Sequence, residues 1–203
     1  MILLVGASGA TGKLLAEQLL IRGHKVKVIV RAPEALPKHI KDHENLTIIH
    51  ANILDLSDAE LVQHTRGCRA LASCLGHTLS FKGMFWPPYR LVTDAARRLC
   101  NAVKAHNPEQ PVRFVLMNTT GNRNRNLNEQ ISFGQKCIIW LVRLLLPPHA
   151  DNEAAADYLR TGNDRNIEWV VVRPDSLVDE AEVSAYELHP SPTRSAIFDA
   201  GIT

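Results

Sequence analysis

The stretch that decides how the chain folds is MILLVGASGATGK, residues 1–13. A short apolar run comes first, three glycines follow at three-residue spacing, and apolar residues then recur on one side of a helical pattern. The glycines are Gly6, Gly9 and Gly12. This order predicts a β-strand, a tight glycine turn and an α-helix, which is the local structure that a dinucleotide site requires.

Each glycine has its own part in this interpretation. Gly6 turns the chain sharply, Gly9 lacks the Cβ that would hold the backbone away from a pyrophosphate, and Gly12 lets the helix pack close to the strand. The amides at the start of the helix then point at the phosphates. A purely structural glycine turn is the alternative. The cofactor contacts predicted in this loop are Gly6, Ser8, Gly9, Ala10, Thr11 and Gly12.

Length and composition narrow the class of protein. A chain of 203 residues predicts one domain, residues 1–203. Lys and Arg total 23 against 21 Asp and Glu, so no nucleic acid and no membrane is expected as a partner. The 4 cysteines lack metal-ligand spacing, which predicts buried thiols and no metal site. With no signal peptide and no apolar stretch near the roughly 20 residues of a membrane span, we expect a cytoplasmic protein.

Five further strands are predicted after the first helix, in alternation with helices or loops. This alternation predicts an α/β Rossmann fold, a doubly wound parallel sheet in three α/β/α layers, with a ligand crevice at the carboxyl ends of the strands. The apolar run at 138–146 predicts a buried helix, followed by a second helix at 151–161, and the sixth strand reads as a buried parallel strand. The predicted strands are Lys25–Val30, Leu46–Ile49, Ala70–Leu75, Pro111–Met117 and Ile167–Val172.

Arg31 closes the second strand, at the position that lies beside the adenosine ribose in a dinucleotide fold. An acidic residue there favours a free 2′-hydroxyl, whereas a basic residue favours a 2′-phosphate. Arg31 therefore predicts NADP(H) as the cofactor, with NAD(H) disfavoured. The alternative is a solvated arginine in a loop.

Other strand ends supply the remaining cofactor contacts. Asn52 and Ile53 follow the third strand and are expected to border the adenine, although Asn52 reads equally well as a turn residue that satisfies its own backbone. After the fourth and sixth strands, the same edge carries the predicted contacts Cys74, Leu75, Gly76, Arg173 and Pro174.

Thr119 and Thr120, at the end of the fifth strand, are the predicted catalytic residues because their hydroxyls would stand near the nicotinamide and orient a substrate carbonyl. A loop with four aromatic residues is expected to cover the substrate, with packing under the loop as the alternative. His77, a lone histidine before that loop, is expected to be structural. The aromatic residues are Phe81, Phe85, Trp86 and Tyr89.

The segments GASGATG at 6–12, CLG at 74–76 and VVVRPDSL at 170–177, together with Arg31 and the Thr119–Thr120 pair, resemble the atypical short-chain dehydrogenase/reductases. The resemblance is to the NAD(P)H-binding group that includes NmrA-like proteins and the flavin reductase/biliverdin-IXβ reductase type. It implies an NADPH-dependent oxidoreductase that passes hydride to a small planar electron acceptor such as a flavin or quinone. The alternative is an NAD(P)H-binding redox sensor without turnover.

Two departures from the family pattern are expected. Typical short-chain dehydrogenases carry a Tyr-x-x-x-Lys pair, and counting back from Leu159 and Arg160 puts Pro148 and Asn152 at those positions, so the dyad is predicted to be missing. The resemblance also implies a further strand and helix after the sixth strand, so we expect either a shortened C-terminal end or a reduced edge of the sheet there. A monomer or weak homodimer is expected.

Overall fold

A computed structural model describes residues 1–77, 86–122, 124–127, 129, 133–162, 164–175, 177, 183 and 185–191, except the side chains at 133, 135–137 and 144. In this part of the chain six parallel strands form one sheet in the order β3-β2-β1-β4-β5-β6. The Rossmann prediction is confirmed. The strands are β1 Ile2–Val5, β2 Val26–Val30, β3 Leu46–His50, β4 Ala70–Ser73, β5 Val112–Met117 and β6 Ile167–Val172.

Helices cover both faces of the sheet. The pieces between β2 and β3 are short, a 3₁₀ turn at Pro33–Ala35 and a single helical turn, because the prolines at 33 and 37 interrupt a longer helix. Across the described ranges, none of the helices combines the length and the apolar run needed to span a bilayer. The helices are α1 Ala10–Ile21, α2 Lys38–Lys41, α3 Asp58–Thr65, α4 Leu91–His106, α5 Phe133–Leu145 and α6 Pro147–Thr161.

The core lies in two clusters, one on each face of the sheet. Because successive strand residues point to opposite faces, Leu3 and Val5 of β1 join the cluster under α3, α4 and α6, whereas Leu4 joins the cluster under α1 and α2. Ala16 of α1 and Ile40 of α2 are buried on this second face. The three-layer prediction is therefore confirmed as well.

Two burial predictions at the far edge of the sheet are wrong. The predicted buried helix is α5, and its Trp140 and Leu145 are 63% and 54% exposed. The predicted buried strand is β6, in which Val170 and Val172 are 50% and 42% exposed. β6 is the edge strand, and an apolar run indicates burial on both faces only where neighbouring elements cover both.

Candidate functional site

Most of the predicted site residues follow the carboxyl end of a strand. In the parallel sheet Val5 pairs with Ile29 on one side and with Ser73 on the other, so the ends of β1, β2 and β4 lie together. The end of β5 lies beside that of β6 in the same way, with Met117 paired to Val172. The sheet thus brings the loops after these strands to one edge.

Gly6 and Gly12 are required by close backbone approaches. Gly6 has φ +81°, and a Cβ on it would stand 2.5 Å from the carbonyl carbon and oxygen of Cys74. A Cβ on Gly12 would stand 2.0 Å from the carbonyl oxygen of Gly6. The sharp turn predicted for Gly6 and the close helix packing predicted for Gly12 are both present.

Gly9 is different, because the protein's own packing does not demand a glycine there. It is exposed, and among the described residues a Cβ would meet only the carbonyl oxygen of Gly6, at the ordinary contact distance of 3.4 Å. Gly9 stands at the N-cap of α1 and has no side chain with which to cap this helix. Ser8 and Thr11 are half-buried and Ala10 is exposed. An open glycine before uncapped amides fits a phosphate group, since the first amides of a helix lack intrahelical partners.

Arg31 lies exposed just beyond β2. Its carbonyl accepts a hydrogen bond from His50 Nε2 at 3.1 Å. Its guanidinium forms no ion pair with any residue in the described ranges. The side chain is therefore available to an anionic ligand at this end of the sheet.

The loop after β3 is held rigidly by the protein. Asn52 Oδ1 accepts from the Leu54 amide at 3.2 Å, so this oxygen closes its own turn. Ile53 is 4% exposed and belongs to the core. Arg98 of α4 donates to the carbonyls of Ile53 at 3.0 Å, Leu54 at 2.7 Å and also Leu56. Contact of Asn52 and Ile53 with an adenine stays a prediction.

The segment after β4 passes beneath the glycine loop. Cys74 and Leu75 are half-buried, and burial raises the pKa of the Cys74 thiol to about 11, which keeps the sulfur protonated at neutral pH. Gly76 is exposed, and among the described residues a Cβ there would meet no atom within 4 Å. Contact of Cys74, Leu75 and Gly76 with a cofactor stays a prediction.

The aromatic loop is described only at its end. Phe81 and Phe85 lie outside the described residues. Trp86 and Tyr89 are 60% and 51% exposed. Their contact with a substrate stays a prediction.

The tip of β5 is organised by Asn118, which is 8% exposed. Its Nδ2 donates to the carbonyl of Asn152 at 2.9 Å, and its Oδ1 accepts from the amide of Thr119 at 2.9 Å. Thr119 Oγ1 accepts from the Gly121 amide at 3.3 Å, while the Thr120 amide donates to the carbonyl of Pro174 at 3.4 Å. The two predicted catalytic threonines are thereby held between β6 and α6.

Sequence reasoning missed the side chain that meets this tip. The position of a Cβ on Gly121 is 3.4 Å from His149 Cε1 and 3.7 Å from Thr119 Oγ1. His149 is in the first turn of α6, directly after Pro148. Its signal was the spacing of His149 and Glu153, four residues apart on one helix, combined with prolines that favour a helix start at Pro147.

His77 and Asp151 form a buried pair with a structural role. His77 Nε2 and Asp151 Oδ2 are 2.9 Å apart, and the two side chains are 5% and 0% exposed. The same carboxylate accepts from the amides of Val92 at 2.8 Å and Thr93 at 3.0 Å. Asp151 therefore caps the start of α4 from another helix, and the expectation that His77 is structural agrees with this contact.

Arg173 is engaged by the protein itself. Its Nη2 lies 2.7 Å from Glu129 Oε1, and its Nη1 donates to the carbonyl of Asn122 at 2.8 Å. Burial by itself would raise the pKa of Glu129, but hydrogen bonds from Arg173 and from the Asn124 amide lower it overall. The guanidinium thus ties the loop after β5 to the end of β6. A direct contact of Arg173 or Pro174 with a cofactor stays a prediction.

The chain was compared with protein families and with curated sequences. The family model described as NAD(P)H-binding matches residues 6–197. No curated protein sequence matches the chain significantly.

Solved structures share the fold. The oxidoreductase ylbE from Lactococcus lactis is 18% identical, with a TM-score of 0.62 over 89% of this chain and 71% of that one. The Bordetella bronchiseptica enzyme WbmH in complex with NAD+ is 22% identical, with a TM-score of 0.63 over 91% and 58%. UDP-glucose 4-epimerase from Thermus thermophilus, in complex with NAD, is 17% identical, with a TM-score of 0.61 over 90% and 57%. The chain thus spans little more than half the length of the last two.

Proposed function

We propose a function from the premise that this chain belongs to the NAD(P)H-binding family, whose model spans residues 6–197. The proposed activity is NADPH-dependent reduction of a small planar acceptor, such as a flavin or a quinone, without a Tyr-Lys dyad. The named oxidoreductase among the structural relatives supports this class of activity.

The observation that carries the proposal is the glycine loop after β1. At Gly6 and Gly12, backbone atoms of the protein fill the space that a Cβ would need. At Gly9, which is the N-cap of α1, that space is open to a ligand among the described residues. A loop that served only to turn the chain would need Gly6 and Gly12 but not Gly9. A pyrophosphate bound against Gly9 gives a reason for the remaining glycine.

The protein's own groups then position the acceptor. The reduced nicotinamide supplies the hydride when it is bound. Thr119 Oγ1 already accepts from an amide, so its proton is left to donate to an acceptor oxygen. Trp86 is 60% exposed at the end of the neighbouring loop, where a flat ring can stack on it.

Calorimetric titration with NADPH tests the function, followed in the same samples by nicotinamide absorbance after adding FMN or menadione. We expect binding and acceptor-dependent loss of the absorbance. Binding without loss of absorbance would contradict the reductase activity and favour the redox sensor. Absence of NADPH binding would contradict both functions.

Gly9→Ala is the sharpest variant for the same titration. The new Cβ meets no atom of the described residues closer than 3.4 Å, so the free energy of unfolding should stay level or rise by about 0.4–1 kcal/mol. The methyl group would meet the pyrophosphate, so NADPH affinity should fall by about 10- to 100-fold. Unchanged affinity would place the phosphates elsewhere.

Arg31→Glu tests the choice of cofactor. A charge-assisted contact with the 2′-phosphate contributes about 1.5–3 kcal/mol, so NADPH affinity should fall by about one to two decades while NADH affinity changes little. Arg22→Glu is the matched control. Arg22 is an exposed arginine at the C-cap of α1, the end away from the glycine loop, and its replacement changes the net charge by the same amount. An equal loss of affinity for NADPH and NADH would show that Arg31 does not contact the 2′-phosphate.

A further inference from the structure

A histidine of α6, His149, lies beside the loop that follows β5, and the proposed function does not use it. The His149 side chain is 12% exposed, and its Nε2 is buried without a hydrogen-bond partner in the described residues. A buried polar atom without a partner costs free energy, so its presence calls for a reason. The ring lies beside Gly121, and Gly121 has no side chain to separate it from Thr119.

Two charged groups face the ring. Glu153, one turn further along α6, places Oε1 3.8 Å from His149 Nε2. Glu153 is itself held by Arg143 of α5, whose Nη2 donates to Oε1 at 2.8 Å. Arg143 of α5 therefore contacts Glu153, and Glu153 lies near His149, which is beside the tip of β5. Glu153 thus holds a carboxylate near Nε2, the ring atom bonded to the Cε1 that lies beside Gly121.

The surroundings set the charge of the ring. Burial lowers the pKa of His149, the carboxylate of Glu153 acts to raise it, and Arg143 acts to lower it. The net direction is downward, so the ring takes up its proton at a lower pH than an ordinary histidine does. Negative charge that develops on a neighbouring acceptor favours the protonated ring.

We propose that His149 is the proton donor to the acceptor at the tip of β5, with Glu153 and Arg143 as its positioning residues. The inference rests on the reductase function proposed above. The acceptor gains a hydride from the reduced dinucleotide and a proton from the ring, the N–H bond of His149 breaks, and an O–H bond forms on the acceptor. The dinucleotide leaves oxidised, and solvent returns a proton to the neutral ring.

The experiment compares wild type with His149→Gln and Glu153→Gln, using NADPH and menadione. In wild type, kcat should fall about tenfold per pH unit above the pKa of the ring, because a single proton is required. His149→Gln should lower kcat on the order of 100-fold and abolish this pH dependence, while NADPH affinity stays unchanged. Glu153→Gln should move the fall in kcat to lower pH.

NMR titration of the histidine rings in the cofactor-free protein gives a readout independent of turnover. The resonance that His149→Gln removes is that of His149, and Glu153→Gln should lower its pKa, since a carboxylate that favours the protonated ring is lost. The kcat profile should move in the same direction. A structural role alone would leave the kcat profile where it was.

His106→Gln is the matched control. His106 also has a buried Nε2 without a partner in the described residues, and burial lowers its pKa too. It ends α4, at the opposite edge of the sheet, so its replacement should leave kcat and its pH profile unchanged.

The outcomes separate this inference from the function beneath it. If wild type binds NADPH but does not reduce menadione, the reductase function fails, and the proton donor fails with it. If wild type turns over and His149→Gln keeps both its rate and its pH profile, only the role of His149 is overturned. Should His149→Gln not fold, an unmoved kcat profile in Glu153→Gln overturns it.

Discussion

Gly6→Ala is expected to lower the free energy of unfolding by about 3–5 kcal/mol, measured by urea denaturation. A Cβ at this position would stand 2.5 Å from the carbonyl carbon and oxygen of Cys74 and 2.7 Å from the amide nitrogen of Leu75. All three are backbone atoms between β4 and the following loop, so none can rotate away. The left-handed backbone, φ +81°, adds about 1–2 kcal/mol for any residue with a Cβ.

Gly23→Ala is the control that separates the two contributions. Gly23 also has positive φ, +73°, but a Cβ there would meet no atom within 4 Å in the part of the chain that the structure describes. The free energy of unfolding of Gly23→Ala should therefore fall only by the cost of the left-handed backbone, about 1–2 kcal/mol. Equal losses at both positions would show that the contact between the glycine loop and the end of β4 is unimportant.

Asp151→Ala is expected to cost about 3–5 kcal/mol of stability, because it leaves three buried donors without their acceptor. These donors are the Val92 amide, the Thr93 amide and the ring nitrogen of His77. No side chain caps α4 locally, since its N-cap residue, Arg90, makes no such bond. The thermal midpoint and the denaturant midpoint should both fall.

Asp58→Ala is the matched control for the loss of a carboxylate. Asp58 forms an ion pair with Arg98 at 3.0 Å, but its side chain is 93% exposed, so its removal should change the midpoints little. Asp151→Asn keeps one acceptor oxygen and should fall between wild type and Asp151→Ala. If Asp151→Ala unfolds at the wild-type midpoint, the cap on α4 does not contribute to stability.

Local patterns explain why the sheet was predictable. Glycine spacing, short apolar runs and the Ser57-x-x-Glu60 capping box each act over a few residues, so strand and helix order follow from the sequence. The turn at Gly6 and the close approach at Gly12 were predictable for the same reason. The positions of Arg31 and Thr119 at strand ends followed once the strands were placed.

Burial was less predictable, because it depends on what lies opposite. Trp140 and Val170 have the composition of core residues, yet both are at least half exposed because they lie on α5 and on the edge strand β6. The partners of Arg173 were hidden for a related reason, since Glu129 lies 44 residues earlier in the chain. No local pattern records such a pair.

The Rossmann topology and the edge at which ligands are expected can be predicted from the sequence, since both follow from short-range periodicity and glycine geometry. Which side chains meet at that edge depends on the tertiary fold. It set His149 of α6 against Gly121, and it joined Asp151 to an amide 58 residues away at the start of α4. These contacts arise from the packing of α6 against α4 and the tip of β5, and the sequences of the separate segments do not specify that packing distance.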